Sequence, residues 1–307
     1  MTLLVIVAAI ETPLRPAAQE QAIGSSNSSQ EPVLRAAAAD IPFTQYDSNA
    51  EELLLDLANQ ARANVGAPAL RLDAGLSYAA RAHAQAMVSA HHLSHQFPGE
   101  PSLLERLAAA TRIQLDQEAE NVALDFSPED GHKHLMLSPP HRANLLNPAY
   151  NVIGVAVVQA GDQLYIVQDF ARALPTYSAA EFKDRIATTI AQVRHRAKQP
   201  NLARQNFLKK DSLSHDSLSN EPSNDLPPLD EAACSMAQAD RLITPPIQQL
   251  AKRYTVASYT TLQPEALPAN SAKVLSSSNF RSFSVGACYA RTQTHPMGVY
   301  WVLLTLE

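Results

Sequence analysis

Two stretches of this chain repeat each other, and a repeat at fixed spacing points to one supersecondary unit built twice. Residues 76–86 read LSYAARAHAQA and residues 229–239 read LDEAACSMAQA, with six of eleven positions identical. Residues 153–158 (IGVAVV) are echoed by residues 285–290 (VGACYA), and each is followed by an aromatic strand pattern, LYIVQDF and VYWVLLTL. The first pair lies 153 residues apart and the second 132, so a second copy lacks roughly twenty residues between helix and strand. In the first copy that stretch carries histidines, whereas residues 241–294 hold none. Two alanine-rich helices can also coincide by chance, and the repeat alone leaves that alternative open.

The 307 residues suggest two domains and suffice for a sizeable core. With 18% charged residues, a net charge of −6 and no long basic cluster, the composition argues against a nucleic-acid partner. Residues 3–10 (LLVIVAAI) are too short to span a bilayer but suit the apolar core of a signal peptide, although no Lys or Arg precedes them. Residues 1–49 read as leader and flexible linker, and residues 173–228 as a helix followed by a low-complexity linker. Between these, Leu54, Leu57, Ala58, Ala61 and Val65 recur at helical spacing until Gly66 and Pro68. Asp73 can cap a second helix with Leu76, Ala80, His83, Ala84 and Met87 on one face. Ser127-Pro128 and Ser138-Pro139 are helix starts. Residues 152–158 and 163–169 read as a hairpin through Ala160-Gly161-Asp162. Helices mixed with strands give a layered α/β fold.

The stretch LANQARANVGAPALRLDAGLSYAARAHAQAM, then Leu93-Ser94-His95, then AENVA (119–123), then MLSPPHRANLLNPAYNVIGVAVV and YIVQDF resembles the bacterial branch of the CAP superfamily (cysteine-rich secretory protein, antigen 5, pathogenesis-related). The motifs match in order and spacing over residues 50–172; SPxHRxNLLNP before a strand containing IGV is the most specific. The resemblance implies an α-β-α sandwich at 50–172, and the repeat adds a smaller degenerate CAP-like module at 229–307. It also implies a shallow cleft lined by histidines and acids, carried here by His95, Glu120 and His141. Ala119 stands where Gly usually precedes that Glu, and Leu135 stands where a Trp is common, changing one expected wall of the cleft. The position near Ser138, where many relatives carry a fourth, acidic member, holds no acid, so the expected set is a triad.

Two imidazoles and a carboxylate can ligate Zn²⁺ with water, act as acid and base, or form a structural network. No convincing nucleophile accompanies them, so a secreted or periplasmic binding module for a small molecule, lipid or cell-envelope component is the favoured expectation, with a metal-dependent hydrolase as the alternative. His83 is expected in the core with one partner, His132 and His134 at the surface, and Tyr300 and Trp301 in the core. Under the repeat, Cys234 matches Arg81 on a helix and Cys288 matches Ala156 on a strand. In a sandwich these positions can face each other, so one disulfide is expected; two buried free thiols are the alternative.

Overall fold

The computed structural model describes residues 5–9, 46–205 and 228–307. The expectations for residues 10–45 and 206–227 lie outside them. The chain divides into two compact units, Pro13–Ala173 and Met1–Thr12 with Leu174–Glu307. The first strand, β1 (Val5–Ala9), falls within the apolar run read as a leader and belongs to the second unit.

In the first unit, α1 (Ser48–Ala63) begins where the Asp47 carboxylate accepts the N–H of Ala50, and ends before Gly66, which takes a left-handed φ of 73°. A short strand, β2 (Arg71–Leu72), precedes α2 (Ala74–Ala90), capped by Asp73 as expected. Then follow α3 (Leu103–Ala110), β3 (Leu115–Asp125), α4 (Pro128–Leu137), α5 (Pro139–Leu146), β4 (Val152–Ala160) and β5 (Gln163–Ala173). The sheet order is β2-β4-β5-β3, with β2 parallel to β4 and the other pairs antiparallel. One face packs against α2 through Ala80, Ala84 and Met87 on Val122, Ala156 and Val167. The other packs against α1, α4 and α5 through Leu54, Ala58, Leu135 and Leu145 on Ile153, Val155 and Phe170. Burial of the central strands on both faces explains the nearly unbroken apolar run 152–158, and the layering is the expected α-β-α sandwich.

Two devices hold these layers. Arg62, fully buried near the end of α1, donates to the carbonyls of Pro68, Leu145, Asn147 and Tyr150 at 2.7–2.9 Å. Gly154 lets β4 approach α2 so closely that a Cβ there would lie 2.2 Å from the Leu76 carbonyl carbon. Only glycine fits that approach.

The second unit contains α6 (Ala179–Arg196), β6 (Ala203–Arg204), α7 (Leu229–Ala239), α8 (Pro245–Leu250), β7 (Thr255–Thr261), α9 (Ser271–Leu275), β8 (Ser282–Ala290) and β9 (Val299–Leu306). Its sheet runs β1-β7-β9-β8-β6. Leu229, Ala233 and Met236 of α7 pack on one face, with Trp301 and Leu303; Phe182, Ile186 and Ile190 of α6 pack on the other, with Tyr259 and Val302. This corrects one expected boundary. The helix at 179–196 is a layer of the second unit, not part of a linker before residue 229, because its apolar stripe is buried against that unit's own sheet. Cys234 and Cys288 form a disulfide between α7 and β8, with Cα atoms 5.0 Å apart, so the free-thiol alternative falls away.

Candidate functional site

The loop after α2 carries His95, β3 carries Glu120 and α5 carries His141. Helix α2 ends at His91 in the left-handed conformation (φ 55°), which turns the chain back over the sheet. His95 Nδ1 meets Glu120 Oε1 at 2.9 Å, while most of the ring stays in solvent. The other Glu120 oxygen accepts from Arg106 Nη2. Arg106 comes from α3, whose start is fixed by a capping box between Ser102 and Glu105. Its Nη1 also donates to the His95 carbonyl at 3.2 Å and lies 3.4 Å from Glu100 Oε1.

His83 completes this buried network. It was expected to have one partner and has two: Nδ1 meets Glu100 Oε1 at 2.6 Å and Nε2 meets the Ser94 carbonyl at 2.8 Å. Glu100 Oε2 accepts the N–H of Phe97 at 2.8 Å. The loop bearing His95 is thus held from beneath by His83, Glu100 and Arg106.

His141 is held differently. Pro139 and Pro140 open α5, and the Ser138 hydroxyl, instead of capping a backbone N–H as expected from its sequence, meets His141 Nδ1 at 2.9 Å. The two prolines remove the N–H groups at the first two positions of α5, and the Ser138 hydroxyl goes to the imidazole instead. Asn121 of β3 donates to the His141 carbonyl at 3.1 Å, and Asn144 donates to Asn121 Oδ1 at 3.0 Å, tying α5 to the sheet.

Three titrating groups are displaced in ways that fit this geometry. The hydrogen bond to Glu120 raises the pKa of His95 above its ordinary 6.5, outweighing partial burial. Burial, reinforced by the positive charge of His95, lowers that of His141. Asp169, the cross-strand partner of Glu120 on β5, is fully buried with neither oxygen hydrogen-bonded. Burial first, and then the Glu120 charge, push its carboxyl well above the ordinary 3.8. An NMR titration of the imidazoles should therefore find His95 protonating at higher pH than His141; the reverse order would contradict this arrangement. The sign for stability follows. The His95–Glu120 contact stabilises fully below about pH 6.5 and fades as pH rises through the raised folded pKa. The lowered pKa of His141 weakens the fold as pH falls below 6.5.

Both Glu120 oxygens already accept hydrogen bonds, and the Arg106 guanidinium would repel a cation beside them. Glu120 thus orients His95 through Nδ1. Among the described residues no group of three or more His, Cys, Asp or Glu side chains is set to hold a metal ion. With both Nδ1 atoms engaged, each Nε2 is the nitrogen left to meet a ligand.

Other expectations need adjustment. Leu135 is not a cleft wall but a core residue at 2% exposure. His134 is exposed and pairs with Asp125 at 2.5 Å, whereas His132 is partly buried, which lowers its pKa. Tyr300 and Trp301 are core residues as expected. Arg106, Glu100 and Asp169 were missed. An acid beside the apolar run Leu164–Val167 was the available signal for Asp169; Arg106 offered none.

The model of the cysteine-rich secretory protein family matches residues 55–170. The Bacillus subtilis uncharacterized protein YkwD is 34% identical over 112 residues, covering 36% of this chain and 43% of that protein. The chain thus spans less than half the length of the curated relative it matches. An extracellular protein containing an SCP domain from Bacillus anthracis is 25% identical, with a TM-score of 0.38 and 41% of each chain covered. A cysteine-rich secretory protein from Staphylococcus aureus is 21% identical, with a TM-score of 0.33, covering 43% of this chain and 40% of that one. Residues 55–170 of the first unit thus match the CAP (cysteine-rich secretory protein) family, and the same unit is similar to a Bacillus subtilis protein.

Proposed function

We propose that this chain is an exported protein that binds through its CAP cleft rather than catalyses a reaction, with His95 and His141 as the ligand-contacting pair. A divalent cation such as Zn²⁺, or a small polar ligand, is the class of occupant. The observation that carries this reading is the support behind each imidazole: Glu120 holds Nδ1 of His95 and Ser138 holds Nδ1 of His141, which leaves Nε2 as the ring nitrogen for a ligand. Such backing groups orient histidine ligands. Export is supported by the Cys234–Cys288 disulfide, since such bonds persist in oxidising compartments, and by the apolar run at residues 3–10. No helix among the described residues is long and apolar enough to cross a membrane.

A metal-dependent hydrolase is the second reading. It draws on the opposed pKa shifts of His95 and His141, which suit an acid and a base. A Ser138 nucleophile would weaken rather than help it, because Pro139 and Pro140 withhold the first two N–H groups of α5 from an oxyanion.

Isothermal titration of the full chain with Zn²⁺ separates these readings from a purely structural cleft. Binding is expected at pH 7.5, weaker than at a closed four-ligand site. It should fall as pH is lowered, starting above pH 6.5 because His95 takes up its proton early. His141→Ala should reduce affinity at least about tenfold, in line with removal of a direct ligand. No heat at pH 7.5 would refute the cation reading, and turnover of ester or amide substrates that depends on Zn²⁺ would favour the hydrolase.

A further inference from the structure

Leaving aside β1, which has no counterpart, and the pair α4 and α5, where the second unit has only α9, the second unit follows the first in order. Its strands run β6-β8-β9-β7 where the first has β2-β4-β5-β3, with β6 parallel to β8 and the remaining pairs antiparallel, as in the first. Arg194 near the end of α6 donates to the carbonyls of Pro200, Leu275 and Ser277, as Arg62 does to Pro68, Leu145 and Asn147. A Cβ on Gly286 would collide with the backbone of Leu229, as one on Gly154 would with Leu76. Asp230 on α7 accepts the N–H of Ala287, as Ser77 on α2 accepts that of Val155. Three independent contact features at matched positions, on top of the strand order, are more than a shared layer architecture requires.

The spacing shows why the match is hard to see in the sequence. From Arg62 to Arg194, and from Gly154 to Gly286, the offset is 132, but from Leu76 to Leu229 it is 153. Residues 206–227 therefore interrupt the second copy between β6 and α7, where the first unit passes from β2 to α2 through Asp73 alone. The following segment is shorter by the same number, which restores the register at β8.

The cleft positions are altered in this copy. Gly286 pairs with Leu303, and Leu303 with Ser258, as Gly154 pairs with Asp169 and Asp169 with Glu120. Glu120 thus corresponds to Ser258 and Asp169 to Leu303. Counting back four from the carbonyls that Arg62 and Arg194 share, at Leu145 and Leu275, His141 corresponds to Ser271. The stretch between α7 and β7 carries only the short helix α8 and no counterpart of His95.

We infer that residues 179–307 are a second copy of the CAP fold, split by an insertion at 206–227 and stripped of its cleft, so that the chain offers one binding cleft on two like scaffolds. The copy holds Cys234 and Cys288 where the first has Arg81 and Ala156, and the disulfide ties together the same helix–strand pair.

Hydrogen exchange with mass-spectrometric readout on the full chain tests this without any ligand. The peptide covering 179–196 should be protected together with 282–306, and Arg194→Met should speed exchange at least tenfold in 179–205 and 271–290 while leaving 48–172 unchanged. Arg194→Lys, with the charge kept, should give a smaller effect in the same peptides. If 179–196 exchanges at the rate of an unstructured peptide in the unaltered chain, or if neither variant changes 271–290, the second copy does not exist as described. Where Zn²⁺ binds, one site per chain is expected, abolished by His95→Ala with His141→Ala; a second site surviving that pair and lost on Ser271→Ala would overturn the loss of the cleft. Absence of Zn²⁺ binding would count against the cation reading alone, since the exchange pattern decides the duplication by itself.

Discussion

Arg62→Met is expected to destabilise the first unit by about 3–5 kcal/mol, measured by chemical denaturation, because the guanidinium is the common donor for four buried or half-buried carbonyls. Each stranded carbonyl costs ~1–3 kcal/mol, and relief from burying the Arg charge offsets part of the sum. Arg62→Lys should recover only part of the loss. An ammonium is a compact point charge with three donors, whereas the guanidinium presents five in a rigid plane that reaches both the end of α1 and the turn after α5. A methionine variant within about 0.5 kcal/mol of the parent, the scatter of surface substitutions, would show that water replaces the arginine and that the clamp is dispensable.

The second large effect is expected in the other unit. Replacing both cysteines, Cys234→Ala with Cys288→Ala, removes a link across 54 residues and should lower stability by about 4 kcal/mol on the chain-entropy model. Alanine already occupies the position matching Cys288 in the first unit, at Ala156, so the strand tolerates it sterically. Reducing agent should reproduce the effect in the parent and leave the variant unchanged. Equal denaturation midpoints of parent and variant would mean that the core of Leu229, Met236, Trp301 and Leu303 holds α7 on the sheet without help.

The helix starts, the hairpin and the layer architecture were legible in the sequence because each depends on neighbours within one or two turns. Asp73 and Ser127 cap helices through the N–H three residues on, and the strands 152–158 and 163–169, buried on both faces, flank a tight turn. The same locality made the family motifs readable, since SPPHRANLLNP and the strand after it form one continuous piece. The disulfide was legible only through the repeat, which supplied the facing of helix and strand that separation along the chain does not.

Of the cleft residues singled out in the sequence, His95 and Glu120 meet directly, whereas His141 takes Ser138 as its partner. His95 and Glu120 meet across 25 residues, and the sequence placed both, yet only the fold brought Arg106 and Asp169 against Glu120. A carboxylate reads as a metal ligand until its oxygens are counted and found engaged. The second unit shows the same limit. Apolar periodicity alone could not tell whether the helix at 179–196 is a linker or a layer, because both have an apolar stripe. What decides is the surface that stripe meets, and that surface is strands β8 and β9, about a hundred residues further on. The sequence by itself determined which segments are helix and strand and which family the first unit follows, because those properties rest on short-range pattern. Tertiary structure alone decided which buried charges share a partner, which ring nitrogen is left for a ligand and where the second copy begins, because these depend on residues brought together only when the sheet closes between its helices.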